Sequence, residues 1–300
     1  MSWKPGLIKD IRVQGQILGQ KMTSPLFMSR IYFRILLGYR LNIKDPQTFN
    51  ERMQFYKLYY CPNNPLVIKC TDKYAVREYI NKKGMSQYLN ELYNVWDKPE
   101  DINWDNLPNQ FAMKCTHSCG HHVICEDKSK LDVPAAKKMI EKRYHSDFGL
   151  KNAEIHYSKI KPRIICEKFL GGVMIDYKFF CFNGKVEFMY ISEGLADDYT
   201  ARISFFDREG KKTPFHREDY AENVDAKIPD QFDQLIQMSE RLAEDFPFVR
   251  VDWFVVNGQI YFSELTFTPC AGLMKIAPEE YDRKLGALID MDRIRREINE

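Results

Sequence analysis

Two carboxylates stand on the arms of one apparent hairpin in "VRVDWFVVNGQIYFSELTFTPCAG", residues 249 to 272: Asp252 on the first arm, Glu264 on the second. Aimed at the same space at ~4 Å, they would repel by about 4 kcal/mol at the effective dielectric of a protein surface. A cation is therefore expected between them. Magnesium takes oxygen ligands, commonly one or two carboxylates plus substrate phosphates and water, and Asp252, Glu264 and Thr266 supply such oxygens. Geometry sets a condition on this reading. A strict two-residue Asn257-Gly258 turn pairs Asp252 with Ser263 and sends Glu264 to the opposite face, because strand side chains alternate. Sharing an ion requires a three-residue loop or a bulge, with Gly258 in the left-handed region.

Three further stretches carry reactive residue types. "KCTHSCGHHVIC" gathers Cys115, His117, Cys119, His121, His122 and Cys125, but zinc sites usually bring their ligands as two well-separated pairs, and that spacing is missing. The small-residue loop Thr116-His117-Ser118-Cys119-Gly120 is better suited to holding phosphate. Small side chains let backbone amides approach phosphate oxygens, with Lys114 as a point charge at the end of the preceding strand. In "CEKFLGG", Glu167 ends a buried strand, where an acidic residue followed by open main chain can accept from an adenine amino group. The alternative there is a strand end with a surface pair of Glu167 and Lys168. Asp290-Met291-Asp292 has the DxD form that holds nucleotide-sugar diphosphates in metal-dependent sugar transferases, but it opens a charged terminal helix and reads as a surface face or an N-cap.

These residues need elements to position them. "DPQTFNERMQFYKLYY" has helical apolar spacing, "NPLVIKC" is a short β-like run, and "TDKYAVREYINKKG" is a helix capped by Thr71 or Asp72 and stopped at Gly84. "LPNQFAMKCTHSCGHHVIC" reads as strand, loop and strand, followed by a helix from near Pro134. "RIICEKFL" is a buried strand that leads to a bend at Gly171-Gly172. "DYKFFCFNGKVEFMYISEG" and "RVDWFVVNGQIYFSEL" each hold Asn-Gly between β-formers, a strong hairpin signal. Residues 207–229 read as a polar loop, and "DQFDQLIQMSERLAEDF" as an amphipathic helix. The class is α+β.

With 300 residues the chain can bury one large core or two moderate ones. Its 44 Lys+Arg against 42 Asp+Glu leave a net charge of +2, so no global field points to nucleic acid. Eight scattered cysteines do not make a disulfide scaffold and fit a reducing cytosol. The N-terminus lacks the apolar core of a secretory signal, and no stretch of ~18 apolar residues occurs. Residues 1–40 are locally basic, with Lys4, Lys9, Arg12, Lys21, Arg30, Arg34 and Arg40 against Asp10 alone. They are expected to form a helical extension packed on the body; peripheral contact with an anionic membrane surface is the second reading.

In order, Lys114 before its loop, "EKFL", Arg250-x-Asp252 and Glu264-x-Thr266 resemble the ATP-grasp superfamily over about residues 65–275. "DPQTFNERMQFYKLY", "CTDKYAVREYI", "LPNQFAMKCTHSCG" and "DYKFFCFNGKVEFMYIS" resemble its TupA-like branch more narrowly, over most of the chain. The resemblance implies an ATP-grasp fold: an extension over 1–60, then a catalytic region over 61–300 with a lid-like part near 108–168 and a metal-binding part near 171–300. It implies that Lys73 and Lys114 bind phosphates beside Ser118 and Gly120. Glu167, Lys168 and Leu170 would hold adenine, and Asp176 and Lys178 would face ribose or phosphates. Arg250, with Lys114, would act in phosphoryl transfer, and Asp252, Glu264 and Thr266 would bind magnesium. Thr266 stands where the wider superfamily has Asn, and Gly120 is the loop's one glycine. The implied reaction joins a carboxylate (an amino acid or uronic acid) to an amine through an acylphosphate, with ATP and magnesium, in cell-surface or capsular polysaccharide synthesis of the teichuronopeptide kind. A sugar transferase is the alternative, and a catalytically dead binding module a third reading.

Overall fold

The computed structural model describes residues 15–120, 122–171, 175–193 and 201–299. Residues 1–14, His121 and Gly172 lie outside them.

Two antiparallel sheets organise the chain. The first has the order β1-β4-β2-β3, from β1 (Leu92–Trp96), β2 (Phe111–Cys115), β3 (Val123–Cys125) and β4 (Ile164–Glu167). Its core includes Phe111, Met113, Ile164 and Cys166, covered by Ala136 and Ile140 of helix Val133–Tyr144. The second sheet uses β5 (Ile175–Phe182), β6 (Lys185–Glu193) and β7 (Arg202–Asp207). After the short β8 (His216–Arg217), it adds β9 (Phe248–Val256) and β10 (Gln259–Thr266), in the order β10-β9-β5-β6-β7. Val249, Val251 and Trp253 of β9 are fully buried on the face covered by helix Phe232–Ala243, where the Trp253 indole donates to Ser239 Oγ at 2.9 Å. Both Asn-Gly pairs turn as the sequence indicates: Asn183, Gly184, Asn257 and Gly258 all have positive φ, as a type I′ turn requires.

Three segments differ from the sequence reading. "NPLVIKC" is a helix, Pro65–Thr71, and not a strand. Asn64 Oδ1 accepts from Leu66 N and Val67 N, and Pro65 sits at N1, so capping and the burial of Val67 and Cys70 outweigh the β-preference of Val67 and Ile68. Within 207–229, β8 pairs with β11 (Ile276–Ala277). Residues 49–60, counted with the extension in the sequence, are built into the core. A capping box between Thr48 and Glu51 starts helix Phe49–Phe55, which continues as a π-helical turn, Tyr56–Tyr60, and Phe49, Met53 and Tyr56 are fully buried. Among the described residues no helix is long and apolar enough to cross a membrane.

Candidate functional site

Alternation along β9 turns Val249, Val251 and Trp253 into the core and Arg250 and Asp252 to the opposite face. Register then builds a polar row across four strands: Glu264 on β10 pairs with Asp252 on β9, Asp252 with Lys178 on β5, and Lys178 with Tyr190 on β6. Thr266 lies opposite Arg250. The Asn257-Gly258 turn keeps its two residues, with Gln259 opposite Val256, and the frame shifts further along, between Phe262 and Glu264. Ser263 is the extra residue. Without that bulge Glu264 would pair with Val251 and point into the core.

The cations between the carboxylates are the protein's own. Arg250 holds Asp252 with both ends of its fork, Nε to Oδ1 at 2.7 Å and Nη2 to Oδ2 at 2.6 Å. Lys178 Nζ lies 3.0 Å from Asp252 Oδ2 and 3.0 Å from Asp176 Oδ2. Arg250 Nη2 also donates to Thr266 Oγ1 at 3.0 Å and lies 3.5 Å from Glu264 Oε1, which accepts from the Thr266 hydroxyl. Arg250 Nη1 reaches Tyr190 Oη at 3.4 Å. Burial would raise the Glu264 pKa, but Lys73, then Arg250 and Lys178, hold it down to about 2. Burial likewise opposes charge on Lys178, yet Asp252 and Asp176 raise its pKa well above the ordinary lysine value. Asp176 is pushed up by burial, and its Oδ1 is buried without a partner.

These details bear on the expected magnesium. Both Asp252 oxygens are taken by Arg250 and Lys178, and the side chain is 0% exposed, so Asp252 stands as a buried counter-ion and not as an open ligand. Glu264 is ionised and 31% exposed, with the Thr266 hydroxyl beside it. Among the described residues no group of three His, Cys, Asp or Glu side chains forms a metal cage. The donor set fits an ion held through Glu264 and completed by phosphate and water, which is how magnesium is commonly bound.

A cleft between the two sheets brings Lys73, Lys114, Glu167 and Leu170 together, walled by Val76, Leu89, Phe254 and Phe262. Lys114 and Glu167 are diagonal neighbours on β2 and β4, which places their charges on one face at 3.0 Å. Arg77 takes the other Glu167 oxygen at 3.3 Å and donates to Asn90 O. Asp72 fixes the turn that carries Lys73 by accepting from Tyr74 N and Ala75 N. The small-residue loop is more tightly held than its composition suggests. Lys73 donates from Nζ to Ser118 O (2.6 Å) and from its amide to Thr116 O, while His117 Nε2 meets Ser146 O. Thr116, His117 and Ser118 are buried, whereas Cys119 is exposed and Gly120 is half-buried at φ 69.

Some expected residues are not gathered there. Lys168 turns its side chain away to Glu91, 55% exposed, and its main chain is taken by Glu91 O and Asn90 Nδ2 because the β1–β4 pairing continues past Glu167. The thiols of Cys115 and Cys125 point to different carbonyls, Ile140 O and Asn109 O. Asp290 caps the helix Met291–Asn299, accepting from Arg293 N, as expected of that DxD run.

Sequence reasoning missed Arg77, Asn90 and Tyr190. Arg77 lies four residues after Lys73 in an ordinary amphipathic helix, with nothing local to mark it. Tyr190 faces Lys178 because a bulge between Phe180 and Cys181 shifts the hairpin; a regular two-residue turn at Asn183-Gly184 would have put Met189 there.

The α+β arrangement of two antiparallel sheets is the ATP-grasp fold expected from the sequence. The chain belongs to the TupA-like ATPgrasp family, whose model matches residues 51–290. No curated protein matches it. Among solved structures it is similar to D-alanine–D-alanine ligase from Bacillus anthracis complexed with ATP, at 15% identity and TM-score 0.47, over 85% of this chain and 77% of that one. D-Alanine–D-alanine ligase from Helicobacter pylori matches at 16% identity and TM-score 0.41, over 80% and 65%. L-amino acid ligase from Bacillus licheniformis matches at 12% and 0.43, over 72% and 48%.

Proposed function

We propose that the protein is an ATP-dependent carboxylate–amine ligase working through an acylphosphate in cell-surface or capsular polysaccharide synthesis of the teichuronopeptide kind. The observation that carries the ligase reading is the row of Glu264, Asp252 and Lys178 with Arg250 lying over it. It sets a guanidinium and a carboxylate side by side on the sheet whose Phe254 and Phe262 wall the cleft that holds Lys73, Lys114 and Glu167. The polysaccharide setting rests on the family resemblance alone, as do the donor (an amino acid or a uronic acid) and the acceptor (an amine on a glycan or amino acid). Eight free cysteines support a cytoplasmic setting.

In this reading Leu170, Phe254 and Phe262 sandwich adenine, and Glu167 retains lone pairs for its amino group beside Lys114 and Arg77. Asp176 Oδ1, buried and lacking a donor, accepts from a ribose hydroxyl. Lys73 and Lys114 hold phosphate oxygens. The substrate carboxylate oxygen attacks the γ-phosphorus, the bond to the β-phosphate bridge breaks, and ADP leaves. The amine then adds to the acyl carbon, phosphate departs, and the nitrogen loses its proton. Positioning and charge neutralisation supply most of the acceleration in phosphoryl transfer, so no Ser or Cys nucleophile is needed. Arg250 is the group placed to meet charge on the transferring phosphoryl oxygens, because a planar fork matches them better than a point charge. Magnesium held through Glu264 would neutralise phosphate charge.

Saturating ATP with magnesium is expected to stabilise the fold by about 2.7 kcal/mol at a hundred times the dissociation constant. Lys114→Ala should remove most of that shift in a thermal melt. Equal stabilisation by UDP-sugars, or none by ATP, would count against the reading and toward a sugar transferase.

A further inference from the structure

Helix Pro25–Leu37 carries two apolar sides. At about 100° per residue, Met28, Ser29, Tyr32 and Phe33 share the buried side. Phe27, Arg30, Ile31 and Arg34 share the opposite one, where Phe27 is 49% exposed, and Ile35, 72% exposed, lies at the edge between the two. In the helical segment before it, residues 15–22, Leu18 and Met22 are 58% and 75% exposed one turn apart. A helix that only packs on the body would present polar residues outward; this one presents large apolar side chains flanked by arginines. No Asp or Glu occurs from residue 11 to residue 44, while Arg12, Lys21, Arg30, Arg34, Arg40 and Lys44 do.

We infer that this face seats the protein on an anionic membrane surface. Apolar side chains interspersed with unopposed cations, on helices too short to span, are the pattern of an interfacial helix, which buries its apolar side in the headgroup region while Lys and Arg meet lipid phosphates. Charge decides among occupants. A second copy would bring the same positive face and repel, whereas an acidic lipid surface is complementary and supplies the apolar layer too. Arg34 and Arg30 lie beside Phe27 on the outward side of the helix, so both contributions act at one place. The inference is independent of the ligase reading.

Co-sedimentation of the full chain with vesicles tests it. Binding to phosphatidylcholine vesicles containing phosphatidylglycerol is expected to exceed binding to phosphatidylcholine alone by at least about tenfold and to weaken as salt is raised. Arg30→Glu with Arg34→Glu should lose at least about tenfold on the anionic vesicles. Phe27→Ser with Ile35→Ser should weaken binding while leaving the melting temperature and its response to ATP unchanged. Equal binding to both vesicle types, or variants that bind like the parent, would overturn the inference. So would a dimer abolished by Phe27→Ser/Ile35→Ser in a protein that ignores vesicles, which would give the face to a second copy.

Discussion

Arg250→Met is expected to lower the unfolding free energy by about 3–5 kcal/mol, the range for a buried ion pair that loses one partner. Asp252 has no exposed surface and receives two of its hydrogen bonds from Arg250. Lys178 remains beside Asp252, which puts the expected loss toward the lower end, even though Asp176 shares its charge. Adding Asp252→Asn to Arg250→Met removes the stranded charge and should recover more than half of the loss. Urea unfolding of the single and double variants measures this. A single-variant loss below about 1 kcal/mol would mean that the pair is hydrated and not the buried counter-ion arrangement described here.

Glu264→Gln is expected to separate the two carboxylates by role. In the proposed role of open oxygen ligand, Glu264 should cost at least about 100-fold in turnover when neutralised, comparable to removing one preorganised charge-stabilising group, with a matching loss of magnesium-dependent ATP stabilisation. Its cost in stability depends on pH. The folded protein holds this carboxyl at about 2 against an ordinary 4.5, so its contribution is complete above pH 4.5 and is lost as pH falls toward 2. The stability difference between parent and Glu264→Gln should therefore be flat from neutral pH down to about 5 and shrink below that. A variant that keeps full magnesium-dependent turnover would place the ion elsewhere, and a difference that grows on acidification would mean that the cations do not act on this group.

What could be read from the sequence was mostly local. Asn-Gly pairs located both hairpins because only a few residues accept left-handed backbone, and the Pro134 region announced its helix. Of the residues that the sequence singled out, Lys73, Lys114, Glu167 and Leu170 line one cleft, and Arg250, Asp252, Glu264 and Thr266 gather on the second sheet. Register was not legible. Two one-residue bulges, at Ser263 and near Cys181, decide that Glu264 faces Asp252 and that Tyr190 faces Lys178, and neither has a composition signal. The need for a cation between the carboxylates was visible, but its identity was not. Arg250 is only two residues from Asp252, and a fork that folds back along its own strand cannot be told in sequence from one that points at substrate. "NPLVIKC" failed for a related reason: cap geometry at Asn64 and the burial of one face settled a segment whose side chains alone favoured a strand.

Hydroxylamine trapping tests the central claim most directly. With ATP, magnesium and a panel of amino acids and uronic acids, an acylphosphate should be intercepted as a hydroxamate, with ADP released in equal amount and only for acids that are substrates. Arg250→Lys, which keeps the charge but not the fork, should lower hydroxamate formation far more than ATP affinity, as expected of a contact that strengthens in the transition state. UDP released from a UDP-sugar, with neither ADP nor hydroxamate formed, would contradict the account.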